Sequence, residues 1–251
     1  VGGVLALALL GGLIAGSFVT VVGHRVPRGE SIIGPRSRCT SCGAQLAAYD
    51  NVPVFSWLLL RGRGRCCGER ISGRYPLTEL TLGALYVVTV AVLRDDPTEV
   101  ILGLVFDTTL VAITLTDLER RVIPNKILIV AAVAGVVIAA VGDPGSLPER
   151  AIAAAAAGGG LFLVALAYPR GMGLGDVKLA AVMGLFLGRN VAPAFLVALL
   201  TGSIVGLALI ARHGAEARRR AIPFGPFLAI GGVVGLLAGD QLVDLYLSAF
   251  S

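Results

Sequence analysis

Long apolar runs separated by short, mostly basic segments dominate the chain. Eight runs stand out: Val1–Val22, Leu77–Leu93, Val100–Thr116, Ile127–Val141, Ala151–Tyr168, Val177–Leu187, Val191–Ile210 and Ala221–Gly239. A helix that crosses a bilayer needs about 20 predominantly apolar residues. Val177–Leu187 is the short one and is followed by Gly188-Arg189-Asn190. It is expected to begin earlier, bend or re-enter, and seven spans is the alternative count. Val1–Val22 carries no charge and lacks the basic n-region of a cleaved signal peptide, so it is read as a span. The predicted architecture is an all-α polytopic membrane protein. It has about eight transmembrane helices and a small cysteine-containing cytoplasmic domain between helices 1 and 2. The expected boundaries are 1–22 for the first helix, 23–76 for the cytoplasmic domain and 77–251 for a multi-helix membrane domain.

Composition agrees with this pattern. Hydrophobic residues make up 56% of the 251, charged residues only 15%, and mean hydropathy is +0.85. An ordinary soluble domain is about 25% charged. A disordered chain, a nucleic-acid-binding module and most soluble enzymes are thereby excluded. The net charge of +5 suggests an acidic partner until its distribution is considered. With the N-terminus outside, segments 23–76, 117–126, 169–178 and 212–220 face the cytoplasm and carry 9, 3, 2 and 4 of the 21 Lys and Arg residues. Arg94, Arg150 and Arg189 remain outside. This is the positive-inside asymmetry, and it accounts for the basic charge without a nucleic acid. No repeat of 20–50 residues is read.

Carboxylates in membrane segments are costly and so are functional candidates. Asp240 and Asp244 follow the last run and are expected to face outside water. Glu79 is expected to cap the second helix, and Asp107, mid-span, to be a packing residue. Asp117 and Asp176 differ, because each falls at a cytoplasmic boundary. Asp117 opens Asp117-Leu-Glu-Arg-Arg-Val-Ile-Pro124-Asn125, and Asp176 closes Gly171-Met-Gly173-Leu-Gly175-Asp176. Glycines beside an acid let another backbone approach it closely. Two carboxylates brought together share a proton and titrate as a pair. Such a pair can activate water and protonate a leaving group. The other hydrolytic chemistries find little support. His24 and His213 are the two histidines and border spans, and neither a His-Glu-x-x-His helix nor a Gly-x-Ser-x-Gly elbow occurs. Glu119 faces another side of the helix from Asp117.

Gly173-Leu174-Gly175-Asp176 resembles the Gly-x-Gly-Asp signature of intramembrane aspartic proteases. The chain as a whole resembles the bacterial prepilin peptidases, the type IV leader peptidase family. Gly16-Ser17-Phe18 with Arg25-Val26-Pro27, Cys39-x-x-Cys42, Tyr49-Asp50-Asn51-Val52-Pro53, Ser56-Trp57, Arg74-Tyr75-Pro76 with Glu79, Ile123-Pro124-Asn125 and Gly173 to Lys178 carry the likeness in order. The resemblance implies that Asp117 and Asp176 are the catalytic pair and that Gly173, Gly175, Lys178 and Pro124 belong to the active-site loops. It implies cleavage, after a glycine on the cytoplasmic side, of the basic leader of a prepilin or pseudopilin whose hydrophobic helix lies in the membrane lipid. It further implies methylation of the new N-terminus from S-adenosylmethionine, and a place in the bacterial cytoplasmic (inner) membrane. No glycine-rich nucleotide loop locates the methyl donor.

The four cysteines cluster between Cys39 and Cys67, a pattern of metal ligands rather than of disulfides. The family's domain has two Cys-x-x-Cys pairs, which suit tetrahedral zinc. Here the second pair is altered: its first position falls on Gly64, and Cys66 stands beside Cys67. Cys39, Cys42 and Cys67 are the expected zinc ligands, with Cys66 a fourth only if the turn rearranges. Trp57 lies in Val52–Leu60, a stretch too short to span that forms a small core or lies on the membrane surface. The Arg218–Arg220 run reads as a topology signal. The alternative function is an ion- or proton-coupled transporter using the membrane acids, which leaves the cysteine domain unexplained.

Overall fold

A computed structural model of the protein describes residues 2–34, 37–39, 41–168, 172–214 and 223–249. Arg218–Arg220, Gly171 and Ala221 lie outside the described residues. The described helices are α1 (Gly2–Arg25), α2 (Phe55–Leu59), α3 (Arg74–Leu93), α4 (Pro97–Arg120), α5 (Asn125–Gly142), α6 (Leu147–Ala167), α7 (Leu174–Leu187), α8 (Val191–His213) and α9 (Gly225–Ser248). Among the described residues there is no β-strand, only two isolated bridges. Seven segments are long and apolar enough to cross a membrane, and one of them, Leu174–His213, contains both α7 and α8. The chain forms two compact units, Val1–Arg94 and Asp95–Ser251.

In the first unit α1 and α3 pack antiparallel. Gly12 lies over Leu82 and Gly83, and Gly16 over Glu79, so closely that a Cβ on Gly16 would stand 2.6 Å from the Glu79 Cα. Small residues permit this approach where lipid offers no hydrophobic drive between helices. Glu79 does not cap α3. It sits buried beyond the first turn and accepts the Val54 N–H at 2.7 Å. Val54 has φ 62°, left-handed for a β-branched residue, and the carboxylate holds it there.

The second unit begins at a capped helix. Asp96 accepts the N–H groups of Thr98 and Glu99 at 2.8 and 3.1 Å, and Pro97 takes the first helical position. α6 and α7 are antiparallel, with Gly158 against Ala181 and Gly184 against Ala153. α8 and α9 are antiparallel too, with Ala194 and Ala198 against Gly235 and Gly231. A 3-10 turn at Gly188–Asn190 joins α7 to α8, and Gly188 turns at φ 54°. There the chain reverses, so the 40-residue apolar segment is a hairpin of two helices. The weak run Val177–Leu187 begins earlier, at Leu174, within the range the sequence left open.

The two ends of this unit are chemically different. At one end Arg150, buried, bonds Ser146 Oγ, the carbonyls of Leu185 and Phe186, and the Glu99 carboxylate. It thereby satisfies orphan carbonyls at the end of α7. Arg189 and Asn190 bond Asp240 at 3.1 and 3.2 Å. Asp240 and Asp244 therefore lie inside α9 rather than beyond the last span, because that helix runs on to Ser248. Phe106 stacks on Phe186, at 5.1 Å between centroids. The other end holds Asp117 and Asp176.

Candidate active site and metal centre

Asp117 is buried on the last turn of α4. That helix ends because Arg121 takes a left-handed conformation, its N–H returning to the Asp117 carbonyl at 2.9 Å. The Asp117 Oδ2 accepts the Gly225 N–H at 2.9 Å in a buried bond. Gly225 opens α9 and Pro226 follows it. The first N–H groups of a helix have no partner within it and carry partial positive charge, so a carboxylate is a suitable acceptor. The approach requires glycine: a Cβ at 225 would stand 2.7 Å from Oδ2. Sequence reasoning missed this residue. The available signal was Phe224-Gly225-Pro226, a glycine before the proline of a helix start.

Asp176 is the third residue of α7. Its Oδ2 accepts the Gly173 N–H at 3.1 Å, while its own N–H donates to the Gly173 carbonyl at 3.1 Å. This is half of a capping box, since glycine has no side chain to return the second bond. Gly175 abuts the loop after α4: a Cβ there would meet Ile123 Cβ at 2.9 Å. Lys178 Nζ donates to Asn125 Oδ1 at 3.0 Å. Pro124 precedes α5 at φ −70°, ψ 125°, its extended backbone turning the chain out of the α4 end.

The structure thus brings Asp117, Pro124, Gly173, Gly175, Asp176 and Lys178 to one end of the second unit, and adds Gly225. Asp117 closes α4 and Asp176 opens α7 at the same end of the unit, where Gly175 meets Ile123. Asp117 is buried, Asp176 partly exposed, and Gly173 exposed. One acid is fixed by a helix start, and the other stands beside the exposed backbone of Gly173. Asp107 is not part of it; it is fully buried in mid-α4. Glu119 is exposed beside the site.

The cysteines form a second centre, in the first unit. Two turns share one backbone design. In the first, Cys39 N–H bonds Ala44 O at 2.8 Å, Gly43 N–H bonds Cys39 O at 2.9 Å, and Arg38 bridges Gln45. In the second, Gly64 N–H bonds Glu69 O at 2.8 Å, Gly68 N–H bonds Gly64 O at 2.7 Å, and Arg63 bridges Arg70. Gly43 and Gly68 close the turns at φ 72° and 69°, where a side chain would be strained. Position for position, Gly64 occupies the slot of Cys39, and Cys66 that of Ser41.

Cys66 nonetheless reaches the cluster. Its Sγ lies 3.3 Å from Cys42 Sγ, Cys39 and Cys67 are 3.6 Å apart, and all four sulfurs lie within 4.8 Å of one another. A tetrahedral zinc with Zn–S of about 2.3 Å sets sulfurs about 3.8 Å apart, so the donor set fits a metal ion of that kind. The expectation that Cys66 would need a rearranged turn is answered by geometry, because the turn already presents it. The Cys39 thiol is lowered to about 6 by the backbone N–H groups of Cys42 and Ser41. Cys66 is pushed up to about 12 by its hydrogen bonds with Cys42 and Cys39.

Comparison with known proteins bears on both centres. Residues 10–93 match the Bacterial Peptidase A24 N-terminal domain, and residues 104–210 match the Type IV leader peptidase family. The chain is 35% identical to a prepilin leader peptidase/N-methyltransferase of Aeromonas hydrophila, over 98% of this chain and 94% of that protein. It is 34% identical to the one of Bacillus subtilis (strain 168), over 97% and 98%, and 32% identical to the one of Pseudomonas putida, over 95% and 92%. No solved structure matches the chain.

Proposed function

The chain belongs to the type IV leader peptidase family, and from that premise we propose that it cleaves the leader of a prepilin or pseudopilin with Asp117 and Asp176 as the catalytic pair. The observation that supports the assignment is the convergence of both acids, through α4, α7 and the start of α9, at one glycine-walled end of the second unit. In the reaction, one carboxylate takes a proton from water as the water oxygen adds to the scissile carbonyl carbon. The other carboxyl, protonated, gives its proton to the leaving nitrogen as the C–N bond breaks. The products are a carboxylic acid and a free amine, and the pair ends with one proton between them, as it began.

The exposed backbone at Gly173 supports an extended peptide approaching Asp176. The substrate carries a basic leader ahead of a hydrophobic helix that lies in the membrane lipid. We place the protein in the bacterial cytoplasmic (inner) membrane, N-terminus outside, with both aspartates at the cytoplasmic face, on the distribution of Lys and Arg. We propose 1–22, 23–76 and 77–251 as functional segments (first helix, cysteine domain and peptidase domain), with α3 packing on α1 in the first unit.

Cys39, Cys42, Cys66 and Cys67 would hold zinc, which would cross-link the two turns as a structural ion. The relatives' names carry a second activity. S-adenosylmethionine would supply an electrophilic methyl group to the new N-terminal amine. Among the described residues none is assigned to that donor.

The test is cleavage of a synthetic precursor with a basic leader, a Gly-Phe junction and a hydrophobic helix, read by mass spectrometry with and without S-adenosylmethionine. Cleavage after glycine is expected, and Asp117→Asn and Asp176→Asn should each lower the rate by about a thousandfold without loss of membrane insertion. Cleavage retained in either variant would remove the pair. No cleavage by the folded wild type would turn the reading to a transporter using the same acids.

A further inference from the structure

The cysteine-bearing segment carries an apolar face that its own core does not use. Trp57 of α2 turns inward: its Nε1–H donates to the Ile71 carbonyl at 3.1 Å, and its ring lies against Gly62. Phe55, Leu58 and Leu59 turn outward and are 65%, 59% and 79% exposed. Arg61, Arg63 and Arg70, all exposed, follow within the next turns. The depth of this face is fixed. Glu79 lies five residues inside the membrane helix α3, about 7.5 Å from its start, and its carboxylate holds the Val54 N–H that opens α2. The Ile71 carbonyl that receives Trp57 stands just before α3. Both ties hold α2 beside the first turns of α3.

We infer that α2 and the arginine-bearing turn after it form an interfacial anchor. Phe55, Leu58 and Leu59 enter the boundary between headgroups and acyl chains, and Arg61, Arg63 and Arg70 meet anionic phospholipid headgroups. Apolar side chains at that depth are drawn into the interface, while arginines keep their charge in the headgroup layer. The occupant is the bilayer that already holds α1 and α3, since Glu79 and Ile71 tie α2 to the start of α3 and the arginines beside the face complement anionic lipid. The anchor is independent of the peptidase chemistry proposed above.

The chain has one tryptophan, Trp57, so its emission reports this segment alone. The full chain is reconstituted in phosphatidylcholine vesicles, with and without phosphatidylglycerol. The lipids carry bromine at shallow or deep acyl positions. Shallow bromine should quench Trp57 more than deep bromine or aqueous iodide does. Phosphatidylglycerol should increase that quenching. Phe55→Ser with Leu58→Ser and Leu59→Ser should remove about half of it or more. Arg61→Gln with Arg63→Gln and Arg70→Gln should remove the increment due to phosphatidylglycerol. The wild type alone decides the matter if a variant fails to insert. Free quenching by iodide with none by bromine would put α2 in water and overturn the anchor. Shielding that arises only on adding a leader-bearing peptide would assign the face to protein and overturn it as well.

Discussion

Replacing Gly225 by alanine tests how the α9 start holds Asp117. The new Cβ would lie 2.7 Å from Asp117 Oδ2, 3.2 Å from Cγ and 3.3 Å from Cβ. Ordinary contact begins near 3.4 Å, so the carboxylate must retreat by about 0.7 Å. The Gly225 N–H bond, now 2.9 Å, would open past the limit for a hydrogen bond. A hydrogen bond to a charged group is worth about 1.5–3 kcal/mol. If it acts in the transition state, its loss lowers kcat/KM by about 10- to 150-fold, and a displaced acid adds to that. The assay is precursor cleavage at substrate concentrations well below KM, by protein whose detergent elution matches wild type. Gly225→Ser should be no better, because the hydroxyl must fit the same space. Unchanged kcat/KM in Gly225→Ala would refute the reasoning, since the clash is with the acid itself and not with a distant side chain.

Elemental analysis should find about one zinc per chain; Cys66→Ser should release it, and Gly64→Cys added to Cys66→Ser should restore it, because position 64 occupies the slot of Cys39. Metal retention should decline as the pH is lowered, because each cysteine binds as a thiolate and protons compete with the metal for all four sulfurs. Dialysis at graded pH followed by metal analysis checks the sign. Arg150→Met leaves Glu99 and two helix-end carbonyls without their partner. Unpairing a buried ion costs about 3–5 kcal/mol, reduced to about 2–3 here by the partial exposure of Glu99. Thermal unfolding in detergent should show it, and Glu99→Gln in the same chain should recover part of the loss.

The membrane helices were legible because a bilayer demands long apolar runs: α3, α4, α5 and α8 each contain the run expected of them, α1 covers the described part of its run, and α6 stops one residue short of its run at Tyr168. Their ends were not, because caps set them. Asp96 starts α4 before the apolar run begins, and Arg121 ends it after Asp117. The hairpin of α7 and α8 was ambiguous for a physical reason: its reversal uses three residues, and neither neighbour is strongly polar over a long stretch. Asp117 and Asp176 were legible because a carboxylate at a membrane boundary is costly. Gly225 was not, since it contributes a main-chain N–H and the absence of a side chain. Likewise the paired turns of the cysteine centre escaped a search for repeats. Their likeness lies in backbone hydrogen bonds and two left-handed glycines, while Cys39 answers to Gly64.

The length of α7 has a consequence for the bilayer around it. Its 14 residues rise about 21 Å, against a hydrocarbon thickness of about 30 Å. Its neighbours α4, α6 and α9 run for 24, 21 and 24 residues, and α7 is buried among them along most of its length. A helix too short to span therefore meets protein rather than lipid. The mismatch is absorbed inside the unit, and the bilayer can keep its thickness against the longer helices.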